Sequence, residues 1–438
     1  MSARGQGRVR PDTRTWFGQP RGLTILFLTN MWEQFSYYGM RALLVYYMTK
    51  ELLFEQEVSS YVYGTYTAFA YFTPIFGGII ADRWLGKKRA VILGGSIMAA
   101  GHFMMAFEPL LYVALGTIAL GNGFFLPSLP SQINDLYGPD DPRRPWAYNV
   151  YYVGVNIGGF LAPLICGTLG EFYGWHYGFG AAGIGMVIGL AIYLYGQRYL
   201  PQEQREKIAP ANTPPPPAES FRETYLLLTG LLFAVTIFRG AYEQVGNTVA
   251  LWADTGIDRM VGGFEIPMTW FQSLNPMLVI LLTPMLLAHW RRRADLGKEH
   301  SPVQKMAIGA GIVGIGYAVL SLASLLVPVG QASWLWLALF FLIFTFGELH
   351  ILPNGLGLFA RLAPPKFGAS TVAAWFLASF TGGLTAGYVG SFWSDLSHAA
   401  FFAMLTGIAW VAGLVLLAFD HPVRRLITQR FGVQPHLR

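Results

Sequence analysis

Long apolar runs separated by short polar stretches dominate the chain. A helix that crosses the hydrocarbon core of a bilayer needs about 20 mostly apolar residues. Twelve runs approach or exceed that length, at 22–47, 59–81, 90–107, 110–134, 146–169, 176–197, 224–252, 267–289, 303–327, 333–360, 368–392 and 397–419. Strands of a membrane barrel would be about 10 residues of alternating character. The continuous runs therefore predict an all-α membrane protein with twelve transmembrane helices.

Basic residues fall almost entirely on one side of the predicted helices. The two tails and the loops on that side hold 26 of the 30 lysines and arginines. The opposite loops hold Lys50 and Arg259, and Arg41 and Arg239 lie inside predicted helices. Lysine- and arginine-rich loops stay in the cytoplasm. We therefore expect both termini in the cytoplasm and a multi-pass protein of the plasma membrane, of the bacterial inner-membrane type in view of its short loops and compact linker.

A polar, proline-rich segment divides the predicted helices six and six. It contains the run Pro214–Pro217, and proline favours extended structure over a helix interior. The predicted parts are a disordered cytoplasmic tail (1–21), a six-helix bundle (22–197), a cytoplasmic linker (198–222), a second six-helix bundle (223–420) and a cytoplasmic tail (421–438). Two such halves around a linker are typical of alternating-access transporters of the major facilitator type, whose site lies between the halves.

The composition excludes most other classes of protein. Charged residues make up 12% of the chain, against about 25% in soluble globular proteins, and the mean hydropathy is +0.42. One cysteine, Cys166, excludes a disulfide scaffold and a thiolate metal site. The net charge of +6 follows the membrane topology and gives no indication of nucleic-acid binding. We expect no cofactor and no metal.

Five charged residues lie deep inside predicted helices. They are Glu33, Arg41, Arg239, Glu243 and Glu348. A charge at mid-membrane costs at least about 2.5 kcal/mol unless it faces water or a partner. Arg239 and Glu243 are four residues apart and can pair along one helix. Charges of both signs from both halves predict a cavity for zwitterionic or charged solutes; the alternative is that they are structural ion pairs between helices.

Polar and aromatic residues accompany these charges. They include Asn30, Gln34, Tyr37, Tyr38, Tyr63, Asn156, Asn275 and Trp375. Each aromatic residue taken alone has packing as its simpler interpretation.

At these positions the sequence resembles the proton-dependent oligopeptide transporter family (POT, or PTR), a branch of the major facilitator superfamily. The resemblance rests on ordered motifs: Asn30-Met-Trp-Glu33-Gln-Phe-Ser-Tyr37-Tyr38-Gly39-Met-Arg41, Tyr63-Gly-Thr-Tyr, Pro74-Ile-Phe-Gly77-Gly78-Ile-Ile-Ala-Asp82-Arg83, Tyr151-Tyr-Val-Gly-Val-Asn156-Ile-Gly158, Tyr242-Glu243-Gln244, Phe271-Gln-Ser-Leu-Asn275-Pro276, Gly347-Glu348-Leu and Trp375-Phe-Leu. It covers nearly all of residues 22–420.

The resemblance implies a role for each of these positions. Arg41 would bind the carboxylate of a peptide. Glu348, helped by Asn156 and Asn275, would bind its amino group. Tyr37, Tyr38, Tyr63 and Trp375 would line the side-chain pockets. Glu243 would be a proton-responsive carboxylate, with Glu33 as the second candidate.

Several positions depart from the family pattern. Asn30 replaces a glutamate and Gln34 an arginine of the first motif, while Leu126 replaces a lysine. Arg239 stands where an aromatic residue is usual, and we infer that it supplies part of the missing positive charge. The linker has no room for the two extra helices that family members often carry between the halves.

These observations predict a secondary transporter that moves small peptides or peptide-like solutes by alternating access, coupled to protons and surrounded by lipid. The alternative is the same scaffold with a non-peptide or modified-peptide cargo and altered or absent proton coupling. A membrane enzyme or a non-transporting receptor is the third hypothesis, but zinc-protease, serine-elbow and P-loop motifs are missing. We expect no enzymatic activity and a monomer.

Overall fold

The computed structural model describes residues 15–137, 141, 143–201, 218–362 and 368–431. The described chain is almost entirely helical, and a long helix lies at each of the twelve predicted spans. These are α1 (Arg21–Tyr46), α2 (Gln56–Ile80), α3 (Lys87–Met104), α4 (Leu111–Ser131), α5 (Arg144–Ala162), α6 (Trp175–Gly196), α7 (Ala218–Tyr242), α8 (Leu274–Asp295), α9 (Pro302–Leu326), α10 (Leu335–Leu362), α11 (Gly368–Ser391) and α12 (His398–Phe431).

Eight helical segments of the described chain are long and apolar enough to cross a membrane, by length and composition alone. They overlap α4 to α10 and α12 over most of the length of each helix. The other four predicted spans correspond to α1, α2, α3 and α11, which are 18 to 26 residues long. The all-helical class is confirmed, and eight of the predicted spans meet both criteria.

Short segments of tighter or wider helix extend or link the long helices. The π-helical turns are Tyr47–Glu51, Ala81–Leu85 and Pro163–Gly167; the 3₁₀ turns are Glu108–Leu110, Asn134–Leu136, Gln197–Tyr199, Glu243–Gly246 and Met268–Ser273; the short α-helices are Thr168–Tyr173 and Thr248–Thr255. The predicted seventh span, 224–252, is therefore interrupted at Glu243. Such interruptions are frequent at functional sites.

The boundaries of the predicted parts differ at two places. The last helix continues to Phe431, past residue 420, where we ended the second bundle. Helix α7 begins at Ala218, inside the predicted linker 198–222, of which residues 202–217 lie outside the described residues. In the predicted N-terminal tail, residues 1–14 also lie outside them.

The expectation of a disordered tail is wrong for residues 15–20. Strands β1 (Thr15–Trp16) and β2 (Gln19–Pro20) form an antiparallel hairpin. The hairpin is held down because Arg143 Nη1 donates to the Gly18 carbonyl at 3.1 Å and Tyr137 Oη donates to Gln19 at 2.9 Å.

Short strands also form at the predicted outer end. Strand β3 (Ile257–Asp258) pairs in parallel with β6 (Ala332–Ser333), and β4 (Met260–Val261) pairs antiparallel with β5 (Phe264–Glu265).

The helices pack as two groups that correspond to the two halves of the chain. In the first half, α1 packs on α5 and α6, α3 on α4 and α6, and α2 on α4. In the second half, α9 packs on α10 and α12, α7 on α11 and α12, and α8 on α10. The extensive contacts between the halves are those of α2 with α11 and of α5 with α8.

Glycines let α2 and α11 approach closely. A Cβ on Gly64 would lie 2.5 Å from the Cα of Gly387, and one on Gly383 would lie 2.7 Å from the backbone nitrogen of Ala68. Any larger side chain at these positions would force the halves apart. Close backbone contact through small residues is the usual packing mode of membrane helices.

Hydrogen bonds and ion pairs between described residues of the two halves lie from the middle of the helices towards one end. That end carries Lys50 and Arg259 and is the predicted outer side. Lys50 pairs with Asp254 at 2.7 Å. Glu171 accepts hydrogen bonds from the backbone nitrogens of Met268 and Thr269 at 3.0 and 2.9 Å, and from the Thr269 hydroxyl at 2.6 Å. The halves are therefore fastened together at this end.

Candidate substrate-binding site

The end of α7 places two charged side chains in the middle of the protein. Helix α7 ends at Tyr242, and a 3₁₀ turn starts at Glu243. Arg239 lies in the last turn of α7, where a cation interacts favourably with the helix C-terminus. Its Nη1 donates to Glu243 Oε1 at 2.8 Å. The pair expected from the four-residue spacing is therefore formed.

Glu243 also binds an arginine from the first half. Arg41 Nη2 donates to Glu243 Oε2, so each carboxylate oxygen has its own guanidinium partner. Arg41 in turn donates from Nε to the Tyr63 hydroxyl at 2.8 Å, and its guanidinium lies 5.4 Å from the centre of the Tyr63 ring. Helices α1, α2 and α7 thus meet at one carboxylate.

Glu348 has a separate set of donors. The Tyr242 hydroxyl donates to Oε1 at 2.7 Å, and Asn275 Nδ2 donates to Oε2 at 2.6 Å. Asn275 also donates to the Thr345 hydroxyl at 3.0 Å. The Tyr242 ring also lies 5.1 Å from the guanidinium carbon of Arg239, so Tyr242 links Glu348 to the pair of Arg239 and Glu243.

Aromatic rings cover the Arg239 guanidinium. Its carbon lies 5.5 Å from the centre of the Tyr71 ring and 5.1 Å from that of Tyr242. Behind it, a Cβ added to Gly382 would lie 2.2 Å from the Arg239 Cβ, so only glycine leaves room for the arginine stem. Arg239 is held in a defined position by its surroundings.

The network is buried but has partly exposed edges. The Arg41 side chain is 13% exposed, that of Arg239 6% and that of Glu243 1%. Tyr38, Tyr71, Tyr242 and Asn275 are half-buried. Opposite charges are paired and hydrogen-bonded here, as buried charges require.

The structure does not join every predicted site residue to this network. Among the described residues, Glu33 makes no ion pair; its hydrogen bond is with Gln34 Nε2, at 2.7 Å. Trp375 packs against Phe359 and beside Gly355, both of the second half. Asn156 donates to the Tyr152 carbonyl of its own helix.

Two of the predicted tyrosines lie side by side on α1. The ring of Tyr37 lies 5.4 Å from that of Tyr38, and the Tyr37 hydroxyl is buried without a hydrogen-bond partner among the described residues.

Sequence reasoning missed Tyr71, Tyr242 and Thr345 as members of the site. Tyr242 directly precedes Glu243 in the Tyr242-Glu243-Gln244 motif, and this position could have identified it as a site residue. Tyr71 lies in an apolar run with nothing to distinguish it from packing residues, and Thr345 likewise.

The sequence of the chain matches the sequence model of a known protein family. The model of the POT family matches residues 88–213 and 222–408. The chain belongs to the POT family. The matched residues start at Lys88, so the altered first motif in α1 lies outside them.

Curated relatives and solved structures of the POT family agree with the assignment. The chain is 31% identical to the di-/tripeptide transporter of Lactococcus lactis subsp. cremoris, over 94% of this chain and 98% of that protein. That alignment spans 492 positions, more than the 438 residues of this chain, so the relative contains residues without a counterpart here.

Two crystal structures of a peptide transporter POT, one with bound sulfate and one of a mutant with bound alafosfalin, superpose with a TM-score of 0.87. Each is 31% identical to this chain and covers 94% of it, with 97% of its own length. The POT family assignment and the helical transporter fold that we predicted are thereby confirmed, and the fold is of the major facilitator type.

Proposed function

We propose that this protein is a secondary active transporter that moves small peptides or peptide-like solutes across the plasma membrane by alternating access, coupled to protons. The observation that carries the proposal is the network in which Arg41 from one half and Arg239, Glu243 and Glu348 from the other half come together. A di-/tripeptide transporter among the relatives and the alafosfalin complex of a similar POT protein support a peptide-like cargo. Binding and release of such a cargo involve no chemical step, so we infer that the protein is not an enzyme.

The proposed site binds the two ends of a peptide with opposite charges. Arg41 binds the terminal carboxylate, because a guanidinium offers paired N–H groups that match a carboxylate. Glu348 accepts the terminal amino group, and its donors Tyr242 and Asn275 hold the carboxylate in place. Asn156 assists at the amino end.

Aromatic residues complete the proposed site. Tyr37, Tyr38, Tyr63 and Trp375 line the pockets for the cargo's side chains. Tyr63 contributes most directly, because its hydroxyl accepts from the arginine that binds the peptide carboxylate.

Proton coupling follows from competition for Arg41. Glu243 holds Arg41 while it is ionised, and a proton on Glu243 removes the charge that does so. A peptide carboxylate can then take the place of Glu243 on Arg41. Glu33 is the second candidate for a proton site; it lies apart from the network, and Gln34 is its partner.

Alternating access requires that the two halves separate at the predicted outer end, where they are now held together. Ion pairs such as Lys50–Asp254 and the cap that Glu171 places on the backbone of Met268 and Thr269 must break when the cavity faces outwards. Because the halves are held together at the predicted outer end, we infer that the arrangement described here is closed on that side. We infer a bacterial inner-membrane protein with both termini in the cytoplasm, which works as a monomer in lipid.

Uptake of labelled di- and tripeptides into proteoliposomes, with and without an inward proton gradient, tests the proposal. We expect uptake that the gradient stimulates. Absence of uptake of every peptide under both conditions would refute a peptide cargo, and uptake that ignores the gradient would refute proton coupling alone.

A further inference from the structure

One edge of the Arg239 guanidinium has no hydrogen-bond partner among the described residues. Nη1 donates to Glu243, but Nε is buried and has no hydrogen-bond partner among the described residues. Nη2 likewise makes no hydrogen bond within that part of the chain. In a guanidinium, Nε and Nη2 form one edge with two parallel N–H groups, the geometry that binds a carboxylate bidentately.

A buried guanidinium N–H without a hydrogen-bond partner is costly, so the unpaired Nε of Arg239 needs an explanation. Leaving such a donor unpaired costs about 1–3 kcal/mol or more, since the group is charged. The rings of Tyr71 and Tyr242 lie over the guanidinium, and Glu243 takes Nη1. What remains for a ligand is the Nε/Nη2 edge, held in position by its neighbours before any ligand arrives.

We propose that this edge binds an acidic side chain of the cargo, so that the transporter favours peptides that contain aspartate or glutamate. The inference rests on the proposed function, because the edge adds a third point of attachment to the two that hold the peptide ends. Arg239 is then a residue that determines specificity.

The two arginines share one carboxylate, so one positive charge is left without a counter-charge among these three groups. Arg41 and Arg239 bring two positive charges to the single negative charge of Glu243. A proton that moves from the aqueous phase to a Glu243 oxygen removes the negative charge that holds both guanidinium groups. No covalent bond of the protein or of the cargo is broken. An acidic peptide brings two carboxylates, one at its terminus and one on its side chain, which can replace the single carboxylate of Glu243. A neutral peptide would leave Arg239 without its counter-charge.

Competition between matched peptides tests the inference. Labelled Ala-Ala is taken up into proteoliposomes, and unlabelled Ala-Glu and Ala-Gln, which have nearly the same shape, compete with it. We expect Ala-Glu to inhibit at about tenfold lower concentration than Ala-Gln, the effect of one added charged hydrogen-bonded pair. Arg239→Gln should bring this ratio to about one. Arg239→Lys, which keeps the charge but has no fork, should give an intermediate ratio, and exposed Arg291→Gln should keep the wild-type ratio.

Each outcome decides the matter. Uptake of Ala-Ala with equal inhibition by the two competitors in the wild-type protein overturns this inference and leaves the proposed function standing. A ratio that persists in Arg239→Gln overturns it as well. If no peptide is bound or transported, both proposals fall. Should Arg239→Gln not fold, as judged by size-exclusion chromatography, the ratios of the wild-type protein and of Arg239→Lys still decide.

Discussion

Arg41 and Arg239, which come from opposite halves of the chain, meet at a single carboxylate. Each guanidinium holds one oxygen of Glu243, and the carboxylate is almost completely buried between them. Because one group holds two cations from two halves, any change in its charge acts on both halves at once. This is the kind of two-state element that can link a proton to the opening of a cavity.

The glycine behind Arg239 provides a test of that arginine's position. In Gly382→Ala, the new Cβ would lie 2.2 Å from the Arg239 Cβ, so the side chain or α11 must shift. We expect peptide uptake to fall at least tenfold, with a loss of stability of about 1–3 kcal/mol from overpacking. Gly407→Ala is the matched control, because no atom lies within 4 Å of the added Cβ. Equal uptake by the two variants would contradict the packing argument.

Tyr242 is predicted to position Glu348. In Tyr242→Phe, the carboxylate loses the hydroxyl donor that lies 2.7 Å from Oε1. A hydrogen bond to a charged group contributes about 1.5–3 kcal/mol, so we expect the affinity for a dipeptide to fall about tenfold. The affinity is measured by titration with Ala-Ala in detergent. Tyr388→Phe at an exposed site is the control, and an unchanged or higher affinity in Tyr242→Phe would remove Tyr242 from the site.

Arg41 is predicted to recognise the carboxyl end of the cargo. Lysine at this position keeps the charge but cannot donate simultaneously to Tyr63 and to a carboxylate in the fork geometry. A bound ligand raises the apparent melting temperature of a protein. We expect Ala-Ala to raise the melting temperature of the wild-type protein more than the C-terminal amide of Ala-Ala does. In Arg41→Lys the difference between the two ligands should disappear. A difference that persists would mean that another residue binds the carboxylate.

The outer end is predicted to open more readily when Glu171 loses its charge. Glu171 accepts three hydrogen bonds from Met268 and Thr269 of the other half. In Glu171→Gln, an amide nitrogen replaces one of the two accepting oxygens and cannot accept, so at least one of these hydrogen bonds is lost.

Spin labels on exposed Glu57 and Val329, in a Cys166→Ala background, report the separation of the halves at that end. We expect the fraction of molecules with the longer distance to rise in Glu171→Gln and not in the exposed control Glu108→Gln. The same distance distribution in all three proteins would exclude Glu171 as part of the closure.

The sequence predicts local relationships in this protein well. The lengths of the apolar runs predict the twelve long helices of the described chain, and the four-residue spacing of Arg239 and Glu243 predicts their ion pair, because both features depend on neighbouring residues. The resemblance to the POT family selects most of the remaining site residues by position.

Relationships between distant segments could not be predicted in the same way. No periodicity links Arg41 to Glu243, which are 202 positions apart, and the 3₁₀ turn that starts at Glu243 interrupts what reads as one apolar run. The sequence also could not predict that Glu33 lies apart from the network, since two residues on one helix can face different neighbours. The cover that Tyr71 and Tyr242 form over Arg239 depends on how α2 and α7 meet.

Transport by Glu243→Gln tests the central claim most directly. Glutamine keeps the shape of the side chain but can neither hold two arginines by charge nor take up and release a proton. We expect proteoliposomes with this variant to exchange labelled Ala-Ala for unlabelled Ala-Ala across the membrane, while an inward proton gradient no longer drives accumulation. Accumulation that is driven by the gradient as strongly as in the wild-type protein would contradict the account, because Glu243 would then not be the carboxylate that couples protons to the cargo.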